Sequence, residues 1–299
     1  MVDDLSVEYD LPDRAVAGVM AVLSPQKDWF MNVSLGQRVV DIHTTKANEP
    51  WTNEMMTTAQ RIFGKEQYAP ILEGISGKTY SQLETPGEKA MWLRIYDETY
   101  NPREHYIVSP EGEIGDVRMS GAGKPFKTGW GSLSEIGKAV EILDNPTVPN
   151  ISSRLGDQHK VRSFYNNMYA PMDEAGDVTI DTHAVAAGLL RPLSGGSTEV
   201  THNFGGTGIA NSSVTGSKGT YGLYAEAYRQ AAKERGVLPR EMQSITWEAV
   251  RGLFPAGYKG QASNVQYVDN IWSRYKSGEL SLEEARDAVI EHAGGINPP

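Results

Sequence analysis

The chain of 299 residues contains no cysteine. That excludes disulfides, thiolate zinc sites, cysteine-ligated iron–sulfur clusters and a cysteine nucleophile, and it gives no sign of secretion. Long apolar runs are missing too. None approaches the roughly 18 residues that a bilayer span requires, so no membrane partner is expected. The opening MVDDLSVEYDLPDR is acidic and lacks the basic-then-apolar pattern of a signal peptide. A cytoplasmic location is the simplest expectation. Six histidines are scattered without H-x-x-x-H or H-E-x-x-H spacing, so no metal is expected. No G-x-x-x-x-G-K-[ST] loop occurs, and no cofactor is expected.

Basic residues are also in deficit, with 28 Lys and Arg against 38 Asp and Glu and a net charge of −10. A general binder of polyanions needs the opposite balance. The deficit is uneven, however. Residues 1–148 carry 14 basic and 22 acidic side chains, and residues 149–260 carry 11 and 10. The middle of the chain can therefore present a binding face that the total conceals.

What is present reads as a globular, mainly α protein. Hydrophobic residues make up 39% and charged residues 22%, ordinary values for a folded domain. Helical periodicity predicts helices near 13–24 (with Asp13 as N-cap), 27–43, 53–65 and 87–100, then near 129–145 with Ser132 or Ser134 capping. Two more are expected at about 158–168 and 181–190. Helices at 220–236 and 239–254 follow, the second with Pro at its start, and a C-terminal pair closes the chain. Ser281 and Glu284 fit a capping box in that pair. The one β signal is EHYIVSPEGEIGDVRMS, a hairpin over about 104–120. With no internal repeat and no linker, residues 1–299 read as a single helical unit. Residues 194–219 are rich in Gly, Ser, Thr and Asn, longer than a plain connector.

The stretch DQHKVRSFYNNMYAPMDEAGDVTIDTHAVAAGLL, residues 157–190, draws attention to two charges at helix starts. Lys160 follows a Gly-containing turn. It reads as a solvated surface lysine or as a nucleophilic amine. Asp181 reads as a plain N-cap or as a half-buried carboxylate facing a developing cation. His183 is a structural hydrogen-bonder or a substrate contact. FYNNMY reads first as core, with Asn166 and Asn167 as pocket candidates. His202 and Asn203 stand beside the Gly-rich loop and are candidates for a lid. In PREMQSITWEAVR, Gln243, Trp247 and Arg251 fall on one helix face.

Three segments taken in order, VLSPQKDWFMN, RLGDQHKV and TIDTHA, resemble the helix-hairpin-helix (HhH-GPD) DNA glycosylase superfamily, and among its members the compact, Cys-free phage-borne ones. The resemblance covers about a third of the chain. It implies a two-lobed helical glycosylase-like fold with the β-hairpin as an insertion and the HhH-like segment at about 150–190. It also implies DNA as partner and a modified or damaged base as target. Lys160 then takes the position of the Schiff-base lysine and Asp181 that of the essential aspartate. Gly156, Gln158 and His159 would contact a phosphate through the hairpin backbone, and Gln26, Trp29 and Asn32 would meet the base stack or an everted base. The hairpin departs from the family in having one Gly where two are usual, with Asp157 beside it. Three functions remain open: a glycosylase, an enzyme that converts an activated base substituent in phage DNA, and a non-catalytic acidic protein that binds a partner or mimics DNA.

Overall fold

The computed structural model describes residues 1–108, 114–120, 122–156, 159–174, 176–205 and 219–296. The chain is mainly helical, as expected, but its contacts fall into two units, Met1–Tyr169 and Ala170–Pro299. The reason is visible in the cores: one apolar cluster gathers residues from Ala15 to Val161, another from Val178 to Val289, and each is built from its own unit. The boundary falls in YAPMDEAGD, which supplies no residue to either buried set.

Unit 1 runs α1 (Val2–Tyr9), α2 (Asp13–Leu23), α3 (Trp29–Thr45), α4 (Asn53–Phe63), α5 (Ala69–Ile75), α6 (Pro86–Tyr100), β1 (Tyr106–Val108), β2 (Ile114–Val117), α7 (Leu133–Asp144), α8 (Val148–Leu155) and α9 (His159–Tyr169). Helix α2 is its axis. Every residue from Ala15 to Leu23 is buried, as expected of a helix that is apolar all round. Close approach is built in at Gly36 of α3, where a Cβ would come within 2.1 Å of the Met20 sulfur. Pro12, not Asp13, occupies the N-cap of α2, and its carbonyl accepts from Ala15 N at 2.7 Å. Asp13 instead places its charge in the first turn, where the helix dipole favours it. Helix α3 starts at Trp29 because the Asp28 side chain caps it, accepting from Met31 N at 2.9 Å.

β1 and β2 form a two-stranded antiparallel sheet with Tyr106 opposite Val117. The expected SPEGE turn lies outside the described residues. The insert is tied to α3 through Asp28. His105 Nε2 lies 2.8 Å from Asp28 Oδ2, Arg118 Nη1 donates to the same oxygen at 3.2 Å, and Phe30 meets His105 edge-on at 5.2 Å. Burial works against the Asp28 carboxylate. The His105 bond, the Met31 N–H and the charges of His105 and Arg118 outweigh it and hold Asp28 below its ordinary value.

At the end of α6 two adjacent buried carboxylates turn to different donors. Asp97 accepts from Arg38 at 3.1 Å, Trp130 Nε1 at 2.8 Å and Asn101 Nδ2 at 2.8 Å. Glu98 pairs with Arg94 at 3.1 Å, Arg103 at 3.0 Å and Arg61 at 3.5 Å. Carboxylates in a last helical turn oppose the dipole, and these donors offset that cost.

Unit 2 runs α10 (Thr182–Leu189), α11 (Thr198–Asn203), α12 (Tyr221–Arg235), α13 (Pro239–Leu253), α14 (Ala256–Lys259), α15 (Ala262–Lys276) and α16 (Leu282–His292). Pro239 opens α13, and Ser281 with Glu284 forms the expected capping box of α16. Ser132 caps α7 in the same manner.

Two outcomes follow for unit 1. Glu98→Ala strands three guanidinium groups and should cost about 3 kcal/mol in chemical denaturation; a loss below about 0.5 kcal/mol would show the cluster contributes little. Asp28→Asn should lower stability by about 1 kcal/mol at pH 7. Because the folded Asp28 is held low, its contribution is full above the unfolded value near 4 and fades as pH falls through the folded one. The gap between variant and wild type should therefore narrow on titration from pH 7 to about 3.

Candidate functional site

The extended segment entering α10 has two buried apolar residues, Val178 and Ile180. Tyr221 holds its backbone: the hydroxyl donates to Val178 O at 2.7 Å and accepts from Ile180 N at 3.0 Å. This delivers Asp181 to the N-cap of α10, half-buried, where Oδ1 accepts from Ala184 N at 2.9 Å. Such a cap leaves the second oxygen free to point elsewhere. Here Oδ2 accepts from Trp247 Nε1 of α13 at 3.0 Å.

Trp247 organises the surroundings of that carboxylate. His183 meets its ring edge-on at 5.2 Å, and the Arg251 guanidinium lies 5.0 Å from the ring centroid. Trp247 and Arg251, two of the three residues on the helix face read from the sequence, thus pack together beside Asp181. Tyr228 donates to Ala184 O at 3.0 Å and accepts from Thr246 Oγ1 at 3.2 Å. Burial, with help from the Asp181 charge and against the Thr246 bond, pushes the Tyr228 phenol up to about 12, so it remains a donor at neutral pH. Lys259 of α14 is half-buried and within electrostatic reach of Asp181. Burial lowers its amine below the ordinary lysine value, while the Asp181 charge pulls it back upward. The cluster thus holds one oriented carboxylate, a half-buried amine, and a ring that positions both an imidazole and a guanidinium.

Other expected residues are placed as follows. Lys160 lies in the first turn of α9, in unit 1, whereas Asp181 belongs to unit 2. Helix α8 is followed by Gly156, whose φ of 63° is left-handed and favours glycine. Arg162 braces it, donating to the Gly156 carbonyl and, at 2.9 Å, to Ser152 O. His159 opens α9, and Gln158 lies outside the described residues. Asn166 is exposed and Asn167 half-buried, while Phe164, Tyr165 and Met168 pack on the unit 1 cores as the bland reading had it.

Gln26 is exposed in a turn with a left-handed φ of 57°, and Trp29 is 50% exposed. Asn32 differs from expectation. It is buried, and its Nδ2 donates to Met20 O at 2.8 Å. The last carbonyls of α2 lack intrahelical partners, and the Asn32 Nδ2 satisfies one of them, while its Oδ1 is buried without a partner among the described residues. Asn203 is likewise fully buried in α11 and sends Nδ2 toward Ile180 O at 3.5 Å, which removes it from any surface lid. His202 is half-buried on the same short helix. Residues 206–218 of the Gly-rich loop lie outside the described residues.

Among the described residues no group of three or more His, Asp or Glu is arranged to hold a metal ion, and no helix is long and apolar enough to cross a membrane. The fold and this cluster define a mainly helical protein whose second unit centres on a carboxylate. Residues 127–254 match the model of DUF7178, a family of unknown function. That stretch includes Lys160, Asp181, His183 and Trp247 and excludes Gln26, Trp29, Asn32 and Lys259. No curated protein and no solved structure matches the chain.

The Asp181–Trp247 bond has a direct check. Trp247→Phe keeps the ring and removes the donor, and should cost about 1–2 kcal/mol in denaturant unfolding. In a double-mutant cycle with Asp181→Ala the losses should fall short of additivity by about 1 kcal/mol. Additive losses would show that the pair is not energetically coupled.

Proposed function

We propose that the chain is a DNA glycosylase-like enzyme of HhH-GPD architecture, acting in the cytoplasm on the N-glycosidic bond of a flipped, modified or damaged base. The observation that carries the reading is the Asp181 carboxylate, fixed by two N–H donors on two helices. A carboxylate accepts at about four lone-pair positions. Two are taken here, which leaves acceptor capacity for substrate without loss of orientation.

Cleavage of an N-glycosidic bond builds positive charge on the sugar, and a preorganised carboxylate stabilises that charge as it develops. The base departs with the bonding electron pair. Water adds its hydroxyl to C1′ and gives its proton to the departing base. A lysine amine can stand in for water, forming a C1′–N bond that opens to an imine. Lys160 holds this role by the family resemblance, and Lys259 is a second candidate because it shares Asp181's surroundings. The α8–α9 hairpin, braced by Arg162, is the element assigned to a backbone phosphate, through Gly156 and His159.

Nucleoside mass spectrometry of ordinary and base-modified DNA tests this. Wild type should release a free base and leave abasic sites. Asp181→Asn should lower the rate on the order of 10²–10³-fold with little change in melting, because Asn also caps a helix and still accepts from Trp247. Wild-type activity in that variant would overturn the assignment, and a converted nucleoside with its sugar bond intact would replace hydrolysis with base modification. Borohydride trapping in Lys160→Ala and Lys259→Ala decides which amine, if either, bonds to the sugar.

A further inference from the structure

A cavity of about 410 Å³ lies within unit 2, walled by the last turn of α10, one face of α13, Trp272 of α15 and part of α16. Ala249, Val250 and Leu253 of α13 line it, as do Leu282 and Ile290 of α16. Leu282 and Ile296 are 49% and 52% exposed, so the cavity opens to solvent on their side. Protein interiors are close-packed, with few voids larger than a water molecule. An apolar cavity of this size keeps its walls wet, and an apolar occupant would release that water.

Of the polar side chains in the lining, two are committed elsewhere. Thr246 Oγ1 donates to the Tyr228 hydroxyl at 3.2 Å, and Trp272 Nε1 donates to Leu190 O at 3.2 Å. The third is Arg286, the one charged residue of the lining. Arg191, Arg229, Arg240, Arg251 and Arg274 of the same unit each pair with a carboxylate. Arg286 enters no ion pair among the described residues. This holds although α16 also carries Glu283, Glu284, Asp287 and Glu291, none of which lines the cavity. Glu284 is turned back to its own helix start, accepting from Ser281 N at 2.8 Å.

We infer that this cavity binds an apolar monocarboxylate, its hydrocarbon body against the walls from α10, α13 and α16 and its carboxylate on the Arg286 guanidinium. Mainly apolar pockets of roughly 300–1,000 Å³ with a few polar groups are the kind that take a small ligand. With Thr246 and Trp272 committed, no side chain inside offers a partner to polar atoms along the occupant, which favours a hydrocarbon body. A guanidinium pairs with a carboxylate through two parallel bonds. A phosphate monoester carries about 1.5–2 negative charges, and the carboxylates of α16 would repel the excess. Asp181 caps the other end of α10 and does not line the cavity, so the inference is independent of the glycosylase reading.

Isothermal titration calorimetry of the full chain with decanoate, kept below its micelle concentration, tests the inference. Wild type should bind decanoate saturably, at one site, and bind the uncharged decanol roughly tenfold more weakly. Arg286→Gln should lose that roughly tenfold preference for the carboxylate and leave decanol affinity unchanged. Ala249→Phe fills the cavity and should abolish binding of both ligands, with circular dichroism and melting confirming that the variant is folded. Absence of saturable decanoate binding by wild type would overturn the inference. So would wild-type decanoate affinity in Arg286→Gln, or undiminished binding by folded Ala249→Phe, since the ligand would then sit elsewhere. None of these readouts involves DNA, so their failure is distinct from failure of the Asp181 assignment.

Discussion

The second unit depends on one carboxylate being asked to do two things. Asp181 ends the irregular segment 177–181 by capping α10, and it also receives the indole N–H of α13. Either bond alone would leave the side chain free to rotate. Together they fix it, and they join two helices that are consecutive neither in sequence nor through any strand. Burial, more than that charge, keeps the neighbouring Tyr228 protonated and donating to Ala184 O. Lys259 balances burial, which disfavours its charge, against attraction to Asp181. Moving Asp181 would disturb all of these groups together, which is why the functional reading is built around it.

The first unit solves a different problem. Its axis, α2, is apolar on every side and has no polar face with which to anchor its neighbours. Anchoring comes from elsewhere. Asn32 satisfies an orphan carbonyl at the end of α2, and Asp28 holds the β-hairpin insert through His105 and Arg118. Two residues of one short stretch, 28 and 32, thus connect the helical core to the insert. Asp97 and Glu98 serve the same unit by gathering guanidinium groups around the end of α6.

Much of this was legible one residue at a time. Apolar spacing predicted helices where α2, α6, α7, α12 and α13 stand, because a 3.6-residue period needs no knowledge of the partner that buries it. Capping chemistry placed Ser132, Pro239, Ser281 and Asp181, because caps satisfy backbone groups within four residues. Helices α1, α5, α8, α11 and α14 were missed: each has at most eight residues, too few turns for a pattern to emerge. The family resemblance put Asn32 among the base contacts, and its place beside the Gly-rich loop made Asn203 a lid candidate, yet both are buried in their units. An asparagine bound to a distant carbonyl and one bound to a ligand look alike in a sequence.

The sequence by itself determined the helical class, the positions of the main helices, the cap at Asp181 and the exclusions that follow from having no cysteine. These depend on local propensity and on composition, which are properties of short windows. Only the tertiary structure decided that the chain divides into two units with separate cores. It also decided that Trp247 reaches Asp181 across 66 residues, that Lys259 shares its surroundings, and that Arg118 and Phe126 stack on a hairpin pinned by Asp28. Each of these joins residues distant in sequence. Their proximity is set by how the helices pack, a choice that buried area and satisfied hydrogen bonds make collectively and no short window records.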